Sequence, residues 1–282
     1  MGFSTTRHSD SFAGAINEAR AASAAGGGTS LSTTLAQVGL PNGTEHVGLI
    51  ARNFATAVVM KFALNPYLLI LKTTDQLATT GNVTDYSSAG QQNPATASSI
   101  VLNALDVLAN GNALYIGSHL PFRGVAVKMS ASVNANASVL AVKYWNGAWT
   151  SVSGFTDGTA SGGATFAQDA PISAPIFWTV PTDWTAVQLN ATPGPLPQVF
   201  YSDKKLYWTR WSVSAQLSAT VAANSFFSLN RSTAYAEAPQ DSLLQFRTFK
   251  GPGGIANVEA KTDAGTGNLI VNCYTDNPVG AF

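Results

Sequence analysis

The residues best equipped to do chemistry in this chain are three histidines, one cysteine, a scatter of carboxylates and six tryptophans. A transition-metal site takes several imidazole, thiolate or carboxylate ligands at compatible spacing. His8, His46 and His119 stand in separate segments with no such partner beside them, so no metal and no cofactor is expected. Nucleophilic catalysis asks for a Ser or Cys with a base and an orienting group. Ser118-His119 puts two of the types side by side, but in a serine-rich chain that adjacency arises by chance, and no G-x-S-x-G elbow is present. Cys273 reads as a small buried hydrophobe. Glycoside hydrolysis needs two carboxylates across a cleft, and no pair stands out among Asp106, Asp157, Asp169, Asp183, Asp203, Glu237 and Glu259. Asp157-Gly158 with Asp169 lacks the spaced oxygen ligands and closing glutamate of a calcium loop and reads as an Asx-turn. The chain is expected not to be an enzyme.

The tryptophans are the better lead, and their chemistry is binding. Exposed rings can stack on sugars or anchor a subunit interface. Trp149, Trp178 and Trp208 are expected in a sandwich core, and Trp145 and Trp211 are the pair expected at the surface as glycan or subunit contacts. Sequons begin at Asn42, Asn82, Asn136, Asn190 and Asn230, but with no secretory signal expected they read as chance in an Asn/Ser/Thr-rich chain.

The elements that must hold these rings are β-strands. From Glu45 onward short β-rich runs are punctuated by Gly, Pro, Asn and Asp. Strands are expected at Val58–Lys61, Tyr67–Leu71, Arg123–Met129, Phe177–Val180, Leu206–Ser214, Leu243–Phe249 and Leu269–Tyr274, with Asn65-Pro66 as a turn and residues 79–99 as a long exposed loop. Asn146-Gly147 predicts a two-residue hairpin that pairs Trp145 with Ala148 and Tyr144 with Trp149. The fold class is mainly β: antiparallel sandwiches, of jelly-roll type, behind a short helical or extended N-terminal arm. In that arm Phe12, Ile16, Ala19 and Ala22 keep a helical spacing, with Gly26-Gly27-Gly28 as a stop. The stripe is too narrow and Ala-rich to be stable alone, so Phe12 and Ile16 are candidate attachment residues. The expected division is an arm over 1–45, a small β region and linker over 46–99, a sandwich over 100–225 and a C-terminal β region over 226–282.

Composition narrows the partners. Charged residues make up 11% of the chain, against about 25% in ordinary soluble domains. A surface so poor in charge is expected to be covered by companion chains. Fifteen basic residues balance fifteen acidic ones, which argues against nucleic acid as a partner. No apolar run reaches the length of a membrane span. Gly2 and Thr6 match a myristoylation pattern in form, yet a free polar terminus is the simpler expectation. A lone cysteine gives no disulfide framework and suits assembly in a reducing cytoplasm.

Several longer stretches resemble a module recurrent in virion proteins of tailed bacteriophages. They are Leu114–Val125, Val133–Leu140, Tyr144–Trp149, Asp157–Thr159, Trp178–Trp184 and Leu206–Trp211, with weaker echoes at Asn230–Tyr235 and Asp263–Asn272. The resemblance spans about residues 100–225. It implies an exterior, homotrimeric tail fibre or appendage protein, held by a tail adaptor or nozzle protein, and it carries no catalytic residue with it. The alternatives are a capsid decoration protein clamping the major capsid protein and, from another class, a carbohydrate- or receptor-binding module for host surface glycans. Localisation in the virion, after assembly in the host cytoplasm, follows from the first two.

Overall fold

A computed structural model describes residues 16–19, 28–41, 43–54, 58–92, 100–103, 105–191, 194–195 and 204–274. The first strands are β1 (Ile16–Ala19), β2 (Thr29–Leu31), β3 (Ala36–Gly39), β4 (His46–Arg52), β5 (Met60–Pro66), β6 (Leu69–Thr73), β7 (Val83–Asp85) and β8 (Ile100–Val101). The middle of the chain supplies β9 (Ala113–Ser118), β10 (Gly124–Met129), β11 (Leu140–Trp145), β12 (Trp149–Ser151), β13 (Ser153–Thr156), β14 (Ile176–Thr179), β15 (Asn190–Ala191) and β16 (Gly194–Pro195). The last are β17 (Tyr207–Val213), β18 (Ala222–Ser228), β19 (Ala236–Ala238), β20 (Leu243–Arg247), β21 (Ile255–Thr262) and β22 (Gly267–Tyr274). All ladders between these strands are antiparallel.

The strands build two sandwiches, one inserted in the other. The outer sandwich packs β1-β22-β4-β20, with β2 also on β22, against β19-β5-β21-β3, around Leu31, Leu49, Met60, Phe62, Val258 and Val271. The inserted sandwich packs β12-β11-β17-β9-β6-β7 against β13-β14-β10-β18-β8, around Ile70, Ile116, Phe122, Trp178, Trp211 and Phe226. The expected division of the chain differs from this one: β2 and β3 are sheet members rather than arm, β6 belongs with the middle of the chain, and residues 236–274 complete the sheets begun before residue 67. Strands from the two ends of the chain thus supply each other's ladder partners, with β22 between β1 and β4 and β21 between β5 and β3.

Alternation explains most strands. In β14, Ile176 and Trp178 are buried while Phe177 and Thr179 are exposed. β9 departs from it, with all six residues buried, because its sheet is covered on both faces. The inner face meets the other sheet. The outer face carries Tyr67, Leu69, Leu71, Tyr115 and Trp208 under Leu189, Leu206 and Ala256. Here Gly117 lies opposite Trp208. A Cβ at Gly117 would fall 2.3 Å from the indole Cε3, so the ring can lie on the strand only because no side chain stands there.

Four local expectations are corrected. Ile16–Ala19 is a strand on β22, with Ile16 opposite Tyr274, not part of a helix; a ladder supplies the backbone partners that an Ala-rich stripe could not secure by burial. Phe12 lies outside the described residues. Asn65 and Pro66 end β5 instead of turning, because Asn65 is wholly buried and hydrogen-bonded within the sheet layer. The 79–99 segment is partly core: Gln91 is buried, donates from Nε2 to Leu68 O at 2.5 Å and accepts from Leu68 N at 2.8 Å, replacing a missing strand neighbour. The hairpin loop spans three residues, so Trp145 faces Trp149 and Tyr144 faces Thr150. That slip of one residue carries Trp149 to the opposite face of the sheet.

Candidate functional site

Two constellations concentrate polar and aromatic chemistry. The first lies where the two sandwiches meet. Asn65 of β5 lies opposite Asn257 of β21, and Glu259 is two residues further on, opposite Gln37 of β3. Alternation therefore sets all four on one face of this sheet. Glu259 is fully buried and pairs with Arg123 of the inserted sandwich, Nη2 to Oε1 3.2 Å. Its other oxygen accepts from Asn65 Nδ2 at 2.9 Å and from the Asn230 backbone N–H at 3.3 Å. Ser228 O, where the chain crosses back, accepts from Gln37 Nε2, Asn65 Nδ2 and Asn257 Nδ2 at 3.1, 3.0 and 3.3 Å. Ser228 Oγ donates to Pro66 O at the other crossing. Tyr235 Oη accepts from Arg123 Nη2 at 3.2 Å. Burial, and then the charge of Glu259, push its phenol up to about 12. The network clamps one sandwich to the other.

Lys250 adds a second tie. Its ammonium donates to Leu40 O in the outer sandwich and to Gln91 O in the inserted one. Burial brings its pKa down to about 8, with nearby Cys273 opposing the shift. The unfolded chain, near the ordinary 10.5, holds this proton more tightly than the fold does. Keeping the charge thus costs stability below pH 8, and the cost fades as pH rises toward 10.5. The urea midpoint of the parent, relative to a Lys250→Met variant, is expected to rise between pH 7 and 10. The gain should be about 1–2 kcal/mol, less than the full conversion of the shift because the side chain keeps some contact with water. A difference that stays flat or falls over that range would contradict it.

The second constellation is a groove of about 270 Å³ on the outer face of the six-stranded sheet, lined among others by Gln76, Leu77, Tyr115, Trp145, Trp149 and Gln188. The half-buried indoles of Trp145 and Trp149 meet at 5.3 Å and 69°, forming a corner. Tyr115 sets its ring edge-on to Trp149 at 5.5 Å. The Arg210 guanidinium sits 5.0 Å from the Trp149 centroid, a cation–π contact that steadies the ring. On the opposite bank Gln76 and Leu77 adopt φ of 54° and 66°, a left-handed pair that the surroundings must impose. Asp75 imposes it: its carboxylate accepts from Thr79 N and Oγ1, Asn82 Nδ2 and Thr73 Oγ1 at 2.8–2.9 Å. Partial burial pushes the Asp75 carboxyl up, but the hydrogen bonds from Asn82, Thr79 and Thr73 outweigh it and hold the group at about 2.

The groove reorders the expected tryptophan roles. Trp145 is partly buried on the wall of the groove, and Trp211, expected at the surface, is fully buried. It lies opposite Val142 on the inner face, while Trp208, three residues before it, takes the outer one, and both faces of that sheet are covered. Trp178 and Trp208 are core residues as expected, whereas Trp149 is only half-buried. The groove pair is thus Trp145 with Trp149, as the one-residue hairpin slip requires.

The other candidates take quieter positions. Asp157 Oδ1 accepts from Thr159 N and Oγ1, an Asx-turn, and Asp169 pairs with Lys128. Ser118 Oγ accepts from Leu120 N at 3.3 Å. His119 borders a hollow of about 310 Å³ with Tyr67, Leu69 and Leu206, and burial lowers its pKa. Among the described residues no group of three or more His, Cys, Asp or Glu side chains could hold a metal ion, and no helix is long and apolar enough to cross a membrane. Compared with protein-family models, curated proteins and solved structures, the chain matches none.

Proposed function

We propose that this chain is a non-enzymatic structural component of a tailed-phage virion, an exterior trimeric tail fibre or appendage protein that is assembled in the host cytoplasm. The observation that carries this reading is an open sheet edge. β20 closes its sheet on β4 alone among the described residues. Leu243 on it and Phe249 just beyond it are 54% and 47% exposed. Unpaired edges are normally protected by charge, brevity or cover, and a strand from another subunit would supply both the missing hydrogen bonds and the apolar cover. Exposed Val139 and Leu120, the 11% charge content and the resemblance over about residues 100–225 point the same way. A capsid decoration role would draw on the same surface and differs in copy number, hundreds per particle instead of tens.

The arm can be tested without touching the sandwiches. Because β2 and β3 are sheet members, a truncation should stop before β1 and remove residues 1–15 only. The shortened chain is expected to melt with the parent but to be several-fold depleted from purified particles, as read by quantitative mass spectrometry. Full incorporation would remove the arm's role, and particles that lack the parent chain altogether would overturn the virion reading.

A further inference from the structure

We propose that the groove between Trp145, Trp149 and the Gln76–Leu77 bank is a saccharide subsite that takes a neutral pyranose. A pyranose presents an apolar C–H face and a hydroxyl edge. Two indoles at 69° offer a corner for that face, and aromatic side chains suit a ligand with one apolar and one wet side. The hydroxyl edge requires fixed donors and acceptors, which amide side chains provide. Gln76 already donates from Nε2 to Leu108 O at 2.6 Å, which fixes the amide and leaves Oε1 to accept from a hydroxyl. Gln188 lines the same groove and offers both functions.

Charge decides among ligand classes. Among the described residues none of the lining side chains is charged at neutral pH. The Arg210 guanidinium beside it is committed, since it sits over Trp149 and also hydrogen-bonds Tyr115. Asp75, beside the Gln76 bank, is likewise taken up by Thr73, Thr79 and Asn82, so neither an anionic nor a cationic ligand would meet an uncommitted counter-charge there. The size of the groove fits a small ring better than an extended peptide, and its banks are set beforehand: Trp145 and Trp149 on one hairpin, Gln76 on the loop gripped by Asp75. Such preorganisation lowers the ordering cost of binding. This inference stands apart from the virion reading, since a protein outside any particle could carry the same subsite.

The test uses the full chain and a panel of neutral hexoses, N-acetylhexosamines and their short oligomers, followed by tryptophan fluorescence and saturation-transfer NMR. At least one member of the panel should bind saturably and show the strongest transfer to ring C–H protons. Trp145→Ala should weaken that binding by about tenfold with the melting temperature unchanged, and Gln188→Ala should weaken it several-fold. No saturable binding across the panel, or equal binding by parent and Trp145→Ala, would overturn the proposal. Binding of a protein partner to the groove, with none of the sugars bound, would overturn it equally.

Discussion

Replacing Arg123 by methionine should lower the melting temperature by about 10 °C. Glu259 is fully buried, and Arg123 is the cation that pairs with it. Methionine fills a similar volume without charge, so the carboxylate would keep the neutral donors of Asn65, Asn230 and Tyr235 but no cation. Stranding one member of a buried pair typically costs about 3–5 kcal/mol, and in a chain of this size each kcal/mol moves the midpoint by about 2–4 °C. The cause can be separated from lost packing. Adding Glu259→Gln removes the stranded charge and keeps an acceptor for Asn65, so the double variant should regain more than half of the loss in calorimetry. A double variant as unstable as Arg123→Met would mean that the charge is not responsible. Because Arg123 and Glu259 belong to different sandwiches, the single variant should also broaden the transition, as the two bodies begin to melt apart.

Trp211→Ala should cost about 3–5 kcal/mol, the usual range for emptying a large aromatic site in a core. The ring is fully buried and packs edge-on to Trp178 at 6.3 Å and nearly parallel to Phe226 at 6.0 Å. Its Nε1 donates to Thr209 Oγ1 at 2.8 Å, and that hydroxyl donates to Ile116 O at 2.9 Å. Truncation therefore opens a cavity between the sheets and removes the indole donor to a buried hydroxyl. Urea unfolding of Trp145→Ala, run beside it, should leave the midpoint within a few tenths of a kcal/mol of the parent, since that ring lines the groove outside the core between the sheets. If the two variants lost equal stability, the separation of core ring from groove ring would be wrong.

The strands that could be recognised beforehand are those whose side chains alternate or run apolar between turn residues. β10, β14, β17, β20 and β22 fall within a few residues of the expected segments. Most of what was hidden shares a cause, namely cover or pairing supplied by other parts of the chain. Trp208 and Trp211 look alike along β17; only the second layer over the outer face makes both of them buried. Gln91 in a run of polar residues looks like solvent-facing loop, and becomes core by completing a strand edge at Leu68. The groove depended on a one-residue change in loop length, which local turn preferences did not resolve. The Glu259 network had a faint signal, two polar residues at alternate positions in the apolar run Ile255–Ala260. Nothing nearby in sequence marks Arg123, 136 positions away, as the partner of Glu259.

Taken alone, the order of residues determined that this chain is built of antiparallel β-strands, that its lone cysteine forms no internal disulfide, and that few charges are available to any surface. Those properties are local or additive: side-chain period, turn chemistry and composition do not depend on what packs where. Only the tertiary structure decided that one sandwich is inserted in another, which tryptophans line the groove, and that a partly buried arginine paired with a buried glutamate joins the two bodies. These depend on strand register and on which faces are brought together, for the arginine–glutamate pair across more than a hundred residues, and a strand's own pattern of side chains carries no record of its partner.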